Sequence, residues 1–136
     1  MKILLAVDGS KSALDAVDFV VAHAATLREK PQIELVTVHR PVPKLPGMGA
    51  AVGKTQIARY YEEEGEAALG EAKKRLEAGR VPYEAHVLVG DVAETLLKHA
   101  KKAGCDLIAV GSPKAMIGSV ATKVLHAAGV PVLLVK

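Results

Sequence analysis

Five short apolar runs fix what this chain can fold into. They are Ile3-Leu4-Leu5-Ala6-Val7, Ile33-Glu34-Leu35-Val36-Thr37-Val38, residues 84–89, residues 107–110 and Val132-Leu133-Leu134-Val135. The first, fourth and fifth are apolar at successive positions, so both faces of the strand they form need cover. Between the runs lie longer segments whose apolar residues recur at helical spacing. In the first such segment Leu14, Val17, Val21 and Ala24 recur that way, and in the second Ile57, Tyr61, Ala68, Ala72 and Leu76. Strands alternating with helices predict a parallel sheet with helices on both faces.

Local signals place the boundaries. Asp8-Gly9-Ser10 turns the chain, with Ser10 as the cap of a helix over about 11–28. A second helix is expected over 55–78. Asp91-Val92-Ala93-Glu94 has capping-box spacing and opens a third helix, which Gly104 stops near 103. The fourth runs over 119–128 and is ended by Gly129. One stretch is irregular, Arg40-Pro41-Val42-Pro43-Lys44-Leu45-Pro46-Gly47-Met48-Gly49, long enough to be a mobile flap or a binding loop. With 136 residues and no linker or repeat, the chain reads as one domain over 1–136.

Several function classes fall away. No apolar run approaches the length of a membrane span, and the start of the sequence is too short and too soon acidic for a signal peptide. The single cysteine, Cys105, excludes an internal disulfide and fits a reducing cytoplasm. Without Trp and with one Phe and three Tyr, the chain lacks stacking platforms for single-stranded nucleic acid. A net charge of +3 is interspersed and does not point to a DNA-groove binder.

In open parallel sheets ligands bind beyond the carboxyl ends of the strands, where the winding direction reverses. If the fourth strand returns beside the first, that crevice lies between Asp8-Gly9-Ser10 and Gly111-Ser112. A glycine there lets a phosphate near the backbone, and the amides at a helix start receive the anion. The same residues also make ordinary turns and caps. Other candidates weaken on inspection. Gly53-Lys54-Thr55 mimics the end of a Walker loop, but Met48 stands where its first glycine belongs. A response-regulator receiver needs an acidic cluster where only Asp8 is found. His23, His39, His86, His99 and His126 show no metal-ligand spacing, and His23, His99 and His126 are expected in exposed or capping roles on helices. Cys105 reads as an inert core thiol. The last apolar run leaves a strand edge that either the proline-rich stretch shields or a second copy covers, and a twofold dimer through residues 131–135 is the favoured expectation.

The blocks Ile3–Ser10, Glu34–His39, Val89–Glu94, Asp106–Ser112, Gly118–Leu125 and Val130–Val135, in that order, resemble the universal stress protein family over nearly the whole chain. The resemblance implies an adenine nucleotide alpha hydrolase-like fold with strand order 3-2-1-4-5, and a homodimer. Members divide into those that bind ATP and those that do not. The binders resemble one another in a pattern of Gly, two residues, Gly, nine residues, Gly, then Ser or Thr. Gly111 matches the first position and Gly118-Ser119 the last pair, but Lys114 replaces the second glycine. Six residues separate Gly111 from Gly118, where the pattern carries twelve. Asp8 matches the acidic contact to adenosine, and Arg40 falls where a small apolar residue lends its backbone to adenine. The implied nucleotide site is Asp8, Gly9, Ser10, Arg40, Gly111, Ser112, Lys114, Gly118, Ser119 and Val120, with Lys114 set against the phosphates. Two readings stand. One is a cytoplasmic stress-response protein that binds ATP with Mg2+ and hydrolyses it slowly at most. The other is a dimeric interaction module that has lost the nucleotide and acts through protein partners.

Overall fold

The structure, a computed structural model, describes residues 1–42 and 50–136. Most of the irregular stretch anticipated as a flap, at 43–49, lies outside the described residues. Among the described residues nine elements alternate: β1 (Lys2–Ala6), α1 (Lys11–Ala24), β2 (Gln32–His39), α2 (Ala50–Ala78), β3 (Tyr83–Val89), α3 (Val92–Ala103), β4 (Leu107–Gly111), α4 (Ser119–Ala127) and β5 (Val132–Val135). All strand pairs are parallel and the order is β3-β2-β1-β4-β5, as the sequence implied.

The continuous apolar character of β1 now has its cause. Ile3 and Leu5 enter a core with Val17, Val20, Leu69 and Leu76, so α1 and α2 cover one face. Leu4 enters the opposite core with Leu96, Ile108 and Val124, so α3 and α4 cover the other. Each such leucine or isoleucine, fully withdrawn from water, contributes about 1.5–3 kcal/mol. Two cores on one sheet also explain why β1 beyond Lys2, and β4 throughout, carry no charged residue.

Helix ends follow local chemistry, with three departures from expectation. α2 begins at Ala50 and not near 55. α1 stops at Ala24 and not near 28, because the Thr26 hydroxyl and amide both donate to the His23 carbonyl and close a turn. α4 ends at Ala127, where Ala128 is already extended at φ −67° and ψ 135°, so the stop precedes Gly129. Gly104 caps α3 in the left-handed region at φ 69°, as anticipated. The capping box of α3 forms by half: Asp91 accepts from the Glu94 amide at 3.1 Å, while the Glu94 carboxylate turns to Lys98 at 3.4 Å. Gly53, Lys54 and Thr55 lie within α2, which removes the Walker-like reading. Among the described residues, no helix is long and apolar enough to cross a membrane.

Candidate functional site

Because β1 pairs with β2 on one side and β4 on the other, its carboxyl end is the reversal point of the sheet. The chain leaves β1 through Val7 and the exposed Asp8, whose Oδ1 accepts the Ser10 amide at 2.9 Å. Gly9 takes φ +83°, a conformation that suits a residue without Cβ. Ser10 caps α1 by accepting the Ala13 amide at 3.3 Å, and its hydroxyl lies 3.3 Å from that of Ser12.

On the opposite wall, Gly111 ends β4 against the first turn of α1. A Cβ there would stand 1.9 Å from the Ser12 carbonyl oxygen. Packing thus requires glycine at 111, whatever else the residue does. Ser112 is 2% exposed. Its hydroxyl donates to the Met116 carbonyl at 3.1 Å and accepts the Gly118 amide at 3.2 Å. The side chain braces the shortened loop from within, and the Gly118 amide is already engaged. Gly118 is the N-cap of α4 and carries no side chain to cap the amides of Ser119, Val120 and Ala121. A Cβ on Gly118 would meet nothing within 4 Å, so the mouth of α4 is open.

These elements enclose a cavity of about 120 Å³. Asp8, Ser10, Ser12, Gly111 and Val120 line it, against an apolar wall that includes Val36, Val38, Val92 and Leu96. A groove of about 380 Å³ shares Ser10 and Ser12 with it and continues to Lys11, Asp15, Ser112, Pro113 and the exposed Lys114. Of the anticipated residues, Asp8, Ser10, Gly111 and Val120 therefore meet at the cavity, and Ser112 and Lys114 at the adjoining groove. Gly9 shapes the turn, and Gly118-Ser119 open α4. Arg40 lies apart, exposed at the end of β2, in a groove of about 540 Å³ with His39, Pro41, Val42, Gly53, Gln56, Ile57 and Tyr60. His39 stacks near Tyr61 with ring centroids 6.2 Å apart, its Nε2 buried with no hydrogen-bond partner among the described residues. The Tyr61 hydroxyl accepts the Val42 amide at 2.6 Å, which ties the exit of β2 to α2.

Sequence reasoning missed two features. Ser12, two residues past the cap, lines both cavity and groove. The second is a polar cluster on the α3 face, in which the Glu34 carboxylate lies 2.9 Å from His86 Nε2 and 3.7 Å from His99 Nε2. His99 is neither exposed nor capping: burial first, then the neighbouring His86, push its imidazole below the ordinary value. The available signal was Glu34 itself, a carboxylate inside an apolar strand. Cys105 is the buried thiol expected, pushed up by burial.

A family profile described as the universal stress protein family matches residues 1–136. A universal stress protein of Methanocaldococcus jannaschii, MJ0531, is 30% identical over 142 residues, covering 99% of this chain and 81% of that protein. The solved structure of the protein MJ0577 superposes with a TM-score of 0.79 at 26% identity, over 99% of this chain and 94% of that one. A universal stress protein solved in complex with cAMP superposes with a TM-score of 0.64 at 27% identity, over 100% of this chain and 96% of that one.

Proposed function

Since the chain belongs to the universal stress protein family, we propose that it is a cytoplasmic stress-response protein that binds an adenine nucleotide at the carboxyl ends of β1 and β4. The base and sugar lie in the slot between Asp8 and the valine wall of Val36 and Val38. The phosphates run toward the amides of Ser119 and Val120 and the ammonium group of Lys114, with ATP carried as its Mg2+ complex. One observation carries the reading. The start of α4 is uncapped, sterically open at Gly118, and next to a cavity whose walls are apolar and whose mouth is polar. Oriented amides at a helix start favour an anion there. The nucleotide in the cAMP complex of a relative supports the class of ligand.

A second reading has its own support. Ser112 engages the Gly118 amide, which removes one donor from the phosphate path. The loop before α4 exposes Met116 at 68% and Ile117 at 46%, and α4 itself exposes Leu125. An apolar surface of that kind suits a protein partner, and a dimer through 131–135 that has lost the nucleotide is the alternative function. Calorimetric titration of nucleotide-stripped protein with Mg-ATP separates the two. Saturable binding of one nucleotide per chain, abolished in Gly118→Trp, supports the first. A Cβ at 118 would meet nothing within 4 Å, so the substitution does not clash at its first side-chain atom. Absence of heat at millimolar ATP, with the protein folded, leaves the partner-binding reading.

A further inference from the structure

Three polar side chains outside the nucleotide site converge from three different elements. Glu34 lies on β2, His86 on β3 and His99 on α3. Register brings the first two together: Glu34 pairs with Glu84 and Val36 with His86, so Glu34 and His86 are diagonal neighbours on the face that α3 covers. His99 then closes over them, with its ring centroid 4.4 Å from that of His86. Their donor atoms all lie within 4.8 Å of one another.

We propose that Glu34, His86 and His99 form a binding site for a divalent ion of the Zn2+ type, with a fourth position left open. Two imidazoles and one carboxylate are a donor set that zinc accepts, with bonds of about 2.0–2.2 Å. Tetrahedral bonds of that length set ligand atoms roughly 3.4 Å apart. The separations of 2.9 and 3.7 Å to the Glu34 oxygens bracket that value. Calcium and magnesium are poor fits, because both favour shells of oxygen.

A plain ion pair explains less of the cluster. The Glu34 side chain is 7% exposed, and pairing with His86 satisfies only its Oε2. His99 Nε2 is buried with no hydrogen-bond partner among the described residues, although it points to within 3.7 Å of Glu34 Oε1. An unpaired buried nitrogen is costly, and an ion supplies the missing partner. The His86 side chain, 23% exposed, is the route from solvent and the side on which water or another base completes the shell. Bound there, the ion ties the outer strand β3 to β2 and α3. None of its ligands belongs to the proposed nucleotide site, so either proposal stands if the other fails.

The test uses the full chain freed of metal on a chelating resin. Zn2+ is titrated in competition with a chromophoric chelator, and Co2+ is added separately to read its visible absorption. The expected result is one Zn2+ per chain, a tetrahedral Co2+ spectrum, and a Tm raised by Zn2+ but not by Mg2+. Affinity falls at least tenfold in His86→Gln and in His99→Gln and is unchanged in His126→Gln, whose imidazole is exposed on α4. Should His99→Gln not fold, His86→Gln at the more exposed position decides. Absence of stoichiometric binding, or equal affinity in all four proteins, overturns the proposal.

Discussion

Gly79 and Arg80 exchange the roles their side chains suggest. After α2 the left-handed position belongs to Arg80, at φ 55°, while the glycine stands just before it. The reason is space: a Cβ on Gly79 would come within 2.5 Å of Val21 Cγ1, so the glycine is needed where α2 crosses α1. A side chain in the left-handed region costs about 1–2 kcal/mol, part of which a glycine returns through its freer unfolded state. Arg80→Gly is therefore expected to stabilise the fold by about 1 kcal/mol, read as a rise in Tm of roughly 4 °C. The Lys30 ammonium group still finds the carbonyl at 80, because that contact is to backbone. Single residues are also where the sequence was least legible. Glu34, His86 and His99 span 65 positions, and no spacing rule joins them. Only the pairing register of β2 with β3 and the docking of α3 make them neighbours. Gly111 was legible as a site glycine, but the Ser12 carbonyl that forbids any Cβ there belongs to another element.

Elements are where the sequence spoke most clearly. Every strand and helix was legible, because apolar periodicity and caps are local quantities. Ser10, Asp91 and Gly104 each do at the helix ends what their chemistry suggested. The misplaced end of α1 has a cause in Thr26, whose hydroxyl competes for a helix carbonyl. The connection from β4 to α4 was legible as short but not as braced. Its seven residues, 112–118, are held by one buried hydroxyl making two hydrogen bonds. Ser112→Ala leaves the Gly118 amide and the Met116 carbonyl without that partner. It is expected to lower unfolding free energy by about 1–3 kcal/mol, measured by urea denaturation at unchanged m-value. If nucleotide binds as proposed, the same variant frees the Gly118 amide. Calorimetry then shows affinity for Mg-ATP held or improved despite the weaker fold.

At the scale of the molecule, the sheet order follows from the alternation of elements and the family resemblance, and β5 occupies one edge. Its bonds to β4 pass through the carbonyls of Pro131 and Val135, which accept from Ile108 and Ser112. Alternation along a parallel strand then turns the backbone of Leu134 outward. Proline at that position removes an outward donor and spares the ladder to β4. For the dimer proposed through 131–135, light scattering is expected to give twice the chain mass for the natural sequence. Leu134→Pro is expected to give a monomer with an unchanged far-UV spectrum. The centre of the sheet has a different consequence. β1 pairs with β4, and across a separation of 104 residues the Lys2 amide donates to the Asp106 carboxylate while the Asp106 amide donates to the Lys2 carbonyl. During synthesis this buried strand waits with one edge bare until β4 has emerged. A ribosome that stalls after β3 holds a sticky half-sheet, and a chaperone is most needed in that interval.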